Sequence, residues 1–258
     1  MGKLNSYYAK LPEDDRILVS HILDMIEICE RSYQPKFSFF LDERQVLLAE
    51  NVMQEQHYEH YSFFGGYDNA SRKVLGIFPP YWDSEESFPV TALSIKYRES
   101  DKLTHRDFLG VFISKQIKRN MLGDIVVGKG ITTVFVYNTV KDMLLSEISK
   151  IGSVGVKISE TESFDLQVEQ SFTEKTGTVS SMRLDSVVSV ASGLSREKSA
   201  NLIKGGNVTV MYNVVETPSY QMSEGEIFSV RGRGKFILFS VNGKTKKDRI
   251  HITIKKYN

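Results

Sequence analysis

The spacing of apolar residues changes twice along the chain, and each change limits what a segment can become. Residues 12–61 repeat apolar side chains at helical intervals. Ile17, Leu18, His21, Ile22, Met25, Ile26 and Cys29 make one stripe, and Val46, Leu47, Ala49, Val52 and Met53 make a second. Pro35 separates them, Asp42 stands at an N-cap position, and Gly65-Gly66 ends the run. A helical region is therefore expected over residues 1–70. Beyond it, short β-branched runs predict strands at 74–78, 90–97, 124–127, 132–137 and 154–158, and helical spacing predicts helices at 104–119 and 140–150. After a lead-in strand, that order is the β-α-β-β-α-β of a ferredoxin-like or RRM-like α/β domain over 71–165. The polar stretch 166–181 reads as a linker. Helices at 185–191 and 195–204, stopped by Gly205-Gly206, and strands at 208–215, 226–230, 236–241 and 250–254 fill a last domain over 182–258. The fold class is α+β.

Composition narrows the function classes. With 41% hydrophobic and 25% charged residues the 258-residue chain has an ordinary folded composition, and no run approaches the roughly 18 apolar residues of a membrane helix. Residues 1–10 lack the apolar core of a signal peptide, and Met1-Gly2 followed by Ser6 matches an acylation pattern without a second membrane signal. Cys29, the single cysteine, excludes an intrachain disulfide and a Cys-based zinc cluster. A cytoplasmic protein with no membrane partner is expected. The net charge of +1 hides a division: residues 1–180 carry 20 Lys/Arg against 26 Asp/Glu, whereas residues 181–258 carry 13 against 6. A basic module follows an acidic body, and polyanions are its first expected partners.

Several motifs with catalytic connotations fail on inspection. Gly123 to Gly130 resembles a phosphate-binding loop until Gly130 replaces the required hydroxyl, and a strand follows where a helix should, so a hairpin turn is expected. Gly243-Lys244-Thr245 lacks the upstream glycine, because Leu238 occupies its place. His57 and His60 could share a helix face, but no third ligand accompanies them, and no metal or cofactor is expected. His105 has no nucleophile at a recognisable spacing. Lys129-Gly130 opens the RNA-recognition octamer correctly, yet Ile131, Thr133 and Val136 occupy its three stacking positions. The aromatics between Tyr58 and Trp82 are expected to pack in a core or domain interface.

One ordered pattern does discriminate. Arg183-Leu184-Asp185, Gly193-Leu194 with Arg196, Ala200, Leu202-Ile203, Gly206, Val208 and Val210, then Gly225, Ile227 and Val230-Arg231-Gly232 follow one another across about fifty residues. This resembles the alpha-L motif first seen in small-subunit ribosomal protein S-four, two short helices on a small curved sheet that binds RNA. Met211 and Glu226 depart from it, standing where such domains carry Asn and Asp. Upstream, Leu103 to Gly110, Ile117-Lys118-Arg119, Gly123-Asp124-Ile125 and the junction Thr176 to Asp185 are similar to the YlmH family of bacterial RNA-binding proteins. The resemblance covers roughly residues 70–258.

It implies a non-catalytic factor that binds structured rRNA and tRNA on the large ribosomal subunit, in the rescue of stalled subunits carrying peptidyl-tRNA. From the residues, the expected RNA contacts are Arg183, Ser195, Arg196, Lys198, Lys204, Arg231, Arg233, Lys235, Lys244, Lys246, Lys247 and Arg249, Ser195 also capping its helix. A second surface would use His105, Arg106, Lys118 and Arg119. A competing class is an RNA-modifying enzyme, since Arg183-Leu184-Asp185 mimics the catalytic triplet of pseudouridine synthases, but the context does not continue the match. A cell-division scaffold binding only protein is the third class. A monomer is the default state.

Overall fold

The computed structural model describes residues 11–82, 87–161, 172–244 and 248–257, and the chain divides into two compact units, Met1–Gln167 and Val168–Asn258. The first unit opens with α1 (Glu13–Ser32), β1 (Lys36–Leu41), α2 (Glu43–Glu55), β2 (Tyr61–Phe64) and β3 (Lys73–Ile77). The two helical stripes lie where their spacing places them. Asp42 caps α2 through a reciprocal pair, its carboxylate accepting from Gln45 N–H while its own N–H donates to Gln45 Oε1, both at 2.9 Å. The region is not wholly helical, however. β1, β2 and β3 form an antiparallel sheet in the order β1-β3-β2, so the strand expected to lead into the middle domain belongs to this sheet instead. The apolar side chains of this sheet are shared between two faces. Leu41, Leu75 and Ile77 bury against α1 and α2, and Phe40 and Val74 bury on the opposite side.

That opposite side meets a second sheet. β4 (Val90–Lys96), α3 (His105–Ser114), β5 (Leu122–Val127), β6 (Ile131–Tyr137), α4 (Asn138–Glu147) and, after the small hairpin β7 (Lys150–Ile151) and β8 (Val154–Gly155), β9 (Lys157–Glu160) give the sheet β5-β6-β4-β9, antiparallel throughout. This is the ferredoxin-like strand order. α3 and α4 bury Phe108, Phe112 and Leu144 on one face with Leu93, Ile95, Val134 and Val136. Phe135, Ala92 and Val90 on the other face pack against Phe40 and Val74, giving four layers of helix, sheet, sheet and helix. Two glycines permit the close approach. A Cβ on Gly66, whose φ is +99°, would lie 2.0 Å from the Phe135 ring, and one on Gly123 would lie 2.6 Å from Phe40.

The second unit starts with β10 (Phe172–Val179), which pairs with β15 (Ile250–Tyr257) over eight residues. The expected linker over 166–181 is thus partly an edge strand, polar because much of it is exposed. α5 (Leu184–Ser192) and α6 (Arg196–Lys204) follow, then β11 (Val208–Val210), β12 (Asn213–Val214), β13 (Ile227–Val230) and β14 (Gly234–Lys244), in the sheet β10-β15-β14-β13-β11-β12. Val187, Val188, Ala191 and Ile203 from the helices bury against Val208, Phe228, Val230, Phe236, Leu238, Ile252 and Ile254. The span expected as one strand over 208–215 breaks at Met211-Tyr212, with φ of 44° and 64°, into a two-residue hairpin turn. Met211 adopts this conformation without an Asn, braced by its N–H donating to Ile227 O at 2.8 Å.

The two helices are joined by a buried carboxylate. Asp185, 4% exposed, accepts hydrogen bonds from Arg183 at 2.8 Å and 3.3 Å and from Arg196 at 3.3 Å, with Arg196 Nε at 3.2 Å. Burial pulls its carboxyl upward, but the hydrogen bonds from Arg183 and Arg196 outweigh it and hold the group below its ordinary range. Because the folded value is depressed, the stabilisation is full above the unfolded carboxyl range near pH 4 and fades as pH falls through the folded value. Asp185→Asn should therefore cost about 1–2 kcal/mol at pH 7 and flatten the acid limb of the second unit's unfolding curve, read by urea titration between neutral and acid pH. In the first unit, Gly66→Ala should cost about 1–3 kcal/mol through overpacking on Phe135, whereas Gly110→Ala, on open helix surface, should raise stability by up to about 1 kcal/mol in thermal unfolding.

Candidate nucleic-acid interface

The basic residues of the second unit converge on α6 and the β13–β14 turn. Ser195 caps α6 by accepting from Lys198 N–H at 3.3 Å, so its place in the site is to start the helix that carries Arg196, Lys198 and Lys204, all exposed. The turn is carried to that helix by its backbone: Arg231 N–H donates to Asn207 O at 2.9 Å, just after the helix stop. Gly232 and Gly234, with φ of +75° and +117°, let the turn fold tightly and leave Arg231 and Arg233 exposed. Between helix and turn lies an open groove of about 390 Å³, lined by Leu194, Lys198, Asn201, Leu202, Arg231 and Arg233. Its floor is apolar and its rim holds three cations.

Arg183 and Arg196 flank this region but do not extend freely. Their guanidiniums are tied to Asp185 with 34% and 51% of the side chains exposed, so each offers only the donors that point away from the carboxylate. Glu226 fills the usual Asp position as a brace, accepting from Tyr220 O–H at 2.9 Å and Ser223 N–H at 2.8 Å. The loop it closes supplies acceptors to the first turn of α5, Leu184 N–H to Tyr220 O and Asp185 N–H to Pro218 O.

Other expected contacts have different placements. Lys235 is held over two rings, its Nζ 5.2 Å from the Tyr212 centroid and 4.8 Å from that of Tyr257. Arg249 donates to Thr178 O at 2.6 Å and Thr178 Oγ1 at 3.1 Å, fastening β15 to β10. Both were expected to face phosphate, and in the free chain each engages partners invisible in the local sequence. The Lys244 side chain, Lys246 and Lys247 lie outside the described residues.

The second expected surface divides as well. Thr104 and Asp107 close the start of α3, with Thr104 N–H and O–H donating to Asp107 at 2.8 Å and 2.7 Å, while His105 and Arg106 between them are exposed. Partial desolvation of the ring, and then the charge of Arg119, push the His105 imidazole below its ordinary range. Lys118 is exposed, but Arg119 donates to Leu122 O at 2.7 Å and Gly123 O at 3.3 Å, and Arg72 donates to Leu122 O and Phe40 O. Asp124 accepts from Tyr67 O–H and Ser71 N–H. Arg72 and Asp124 therefore tie the two sheets of the first unit together, while Arg119 is engaged with the backbone at the start of β5. The sheet face that an RRM-like domain would offer to bases is covered by β1–β3, with Tyr67 stacked on Phe135 at 5.0 Å.

The motifs with catalytic connotations have structural explanations. Residues 128–131 form the β5–β6 hairpin turn, Gly128 N–H donating to Ile131 O. α2 ends at Glu55 and His57 has φ of 51°, so His57 and His60 do not share a helix face. Among the described residues no group of three or more His, Cys, Asp or Glu could hold a metal, and no helix is long and apolar enough to cross a membrane.

Comparison with known proteins places this geometry. A sequence profile described as "Putative RNA-binding domain in YlmH" matches residues 83–165. The "Ribosome-associated protein quality control protein P2" of Bacillus subtilis (strain 168) is 33% identical over 256 residues, covering 98% of this chain and 99% of its own. Among solved structures, "Cell division protein ylmH from Streptococcus pneumoniae" shares the fold, with a TM-score of 0.50 and 23% identity, over 58% of this chain and 93% of that one. Identity of one third along nearly the whole of both chains, with the middle-domain profile in register, establishes that the chain belongs to the YlmH family.

Proposed function

We propose that this protein is a non-catalytic factor that binds structured rRNA and tRNA on the ribosome, working on the large subunit, in the cytoplasm and as a monomer. The observation that carries the proposal is the basic groove between α6 and the β13–β14 turn. Lys198, Arg231 and Arg233 project from a helix and a glycine-shaped turn whose backbones are set by hydrogen bonds, so the three charges are gathered at one groove without a ligand. Cations gathered beside the apolar side chains of Leu194 and Leu202 suit a folded RNA recognised by backbone shape. The name of the full-length Bacillus relative, a ribosome-associated quality control protein, supports the ribosome as the setting.

The same geometry weighs against the enzyme reading. Asp185 is the acid of the Arg-Leu-Asp mimic, and it is buried and engaged by two arginines, one of them on the next helix. It serves as a clamp, and a nucleophile would need a path to substrate that this burial denies.

Co-sedimentation of the purified protein with isolated large subunits, with and without P-site tRNA and across a salt series, tests the proposal. Wild type should bind large subunits with a steep salt dependence. Arg231→Glu/Arg233→Glu should weaken affinity at least about tenfold and flatten the log–log salt slope by roughly 2, one unit for each phosphate that is no longer neutralised. Equal binding by the variant, or no binding to large subunits, contradicts the assignment. His105→Ala/Arg106→Ala should weaken binding by less than the turn variant, because Arg119 of the same surface is engaged by the Leu122 and Gly123 carbonyls and His105 adds little positive charge.

A further inference from the structure

The six-stranded sheet of the second unit has two unlike faces. Its inner face is buried under α5 and α6. Strand alternation turns the intervening residues outward, and along β14, β15 and the start of β10 these include an aromatic and cationic cluster. Lys235 on β14 lies over the rings of Tyr212 and Tyr257, and Tyr257 packs edge-on to Phe172, with centroids 4.9 Å apart. Lys255 on β15 lies over Phe239 at 3.3 Å and Phe172 at 5.7 Å, and pairs with Glu174 at 3.4 Å. The β14–β15 register shifts between Leu238 and Ser240, which makes Phe239 the inserted residue of a bulge and leaves it 47% exposed.

We propose that this outer sheet face is a second RNA site that binds unpaired nucleotides. Phe239, Tyr257 and Tyr212 offer rings to bases, and Lys235 and Lys255 meet the phosphates. Three observations support this choice of occupant. The unit carries the chain's excess of positive charge, with 13 Lys/Arg against 6 Asp/Glu over residues 181–258, so a polyanion complements it. Rings interleaved with ammonium groups are the combination that holds single strands, since each base presents a π-face and each linkage a charge. An ammonium–ring contact and a base–aromatic stack are of similar strength, so a base can exchange for a lysine on a ring while the lysine moves to phosphate. Lys255, its side chain 19% exposed and paired with Glu174, is the more firmly held of the two lysines. A duplex hides its base faces, so this site selects unpaired RNA, while the α6 groove takes structured RNA by its backbone.

The test compares a short unstructured RNA with a fully paired RNA hairpin, its strands joined by a non-nucleotide linker, by fluorescence anisotropy, using the full chain. Wild type should bind both. Phe239→Leu/Tyr257→Leu, which keeps apolar bulk and removes the rings, should weaken the unstructured RNA about tenfold and leave the hairpin within about twofold. Arg231→Glu/Arg233→Glu should do the reverse. Because Phe239 is half-exposed, Phe239→Leu alone should fold normally and still weaken the unstructured RNA. Failure of wild type to bind unstructured RNA, unchanged affinity in Phe239→Leu and in the double variant, or equal loss of both RNAs in Phe239→Leu overturns the second site. Failure of wild type to bind the hairpin and large subunits would instead count against the proposed function.

Discussion

A carboxylate excluded from water is costly unless charge and hydrogen bonds replace its hydration, and the second unit of this protein is arranged around that requirement. Asp185 sits at the start of α5, and its partners come from the residue before that helix and from the first residue of α6. Satisfying the carboxylate therefore fixes the relation of the two helices. It also aims two guanidiniums, whose remaining donors point away from the acid. Once α6 is placed, the helix stop places Asn207, Asn207 O receives Arg231 N–H, and the β13–β14 turn comes to rest beside Lys198. The basic groove is the outcome of that chain of interactions. Those interactions set in advance the backbone from which Lys198, Arg231 and Arg233 project, which lowers the ordering cost of binding.

The first unit solves a comparable problem with different parts. Its two sheets bury aromatic faces against each other, and Gly66 and Gly123 make room for Phe135 and Phe40. Arg72 and Asp124 hold the edge of that junction, Arg72 donating to Leu122 O and Phe40 O and Asp124 accepting from Ser71 N–H. Burial pushes the Arg72 guanidinium down to about 10, which still leaves it charged at neutral pH. The ferredoxin-like order thus persists without the open stacking face that often accompanies it. Fold and function separate here: the strand order is one that many RNA-binding sheets share, while the exposed aromatic face lies in the other unit.

Much of this was legible in the sequence where the signal is local. Stripes at helical spacing mark α1, α2, α5 and α6, and Asp42 and Ser195 mark helix starts, because capping and amphipathicity act within one turn. The β-α-β-β-α-β order follows from alternating patterns for the same reason. β1 and β2 escape notice because Lys36–Leu41 and Tyr61–Phe64 are short and apolar on both faces, so they carry no period of two. β10 is disguised as a linker by its polar residues, and only its pairing with β15, distant in sequence, makes it a strand. Among the site residues, Arg231 and Arg233 stand out through their glycine neighbours. The engagement of Lys235 and Arg249 depends on partners far along the chain, as with the 71 positions between Arg249 and Thr178, whereas Arg119 turns back on the nearby carbonyls of Leu122 and Gly123. Lys255 escapes because nothing adjacent in sequence reveals the Phe239 ring beneath it.

The central claim is that RNA is met by the face formed by α6 and the β13–β14 turn. The most direct test is a cryo-electron microscopy map of the protein bound to the large subunit. The account predicts density for Lys198, Arg231 and Arg233 against an RNA sugar–phosphate backbone, with Asp185 still clasped by Arg183 and Arg196 behind them. A bound protein whose α6 face is turned to solvent or to a ribosomal protein, with RNA held elsewhere, would contradict it.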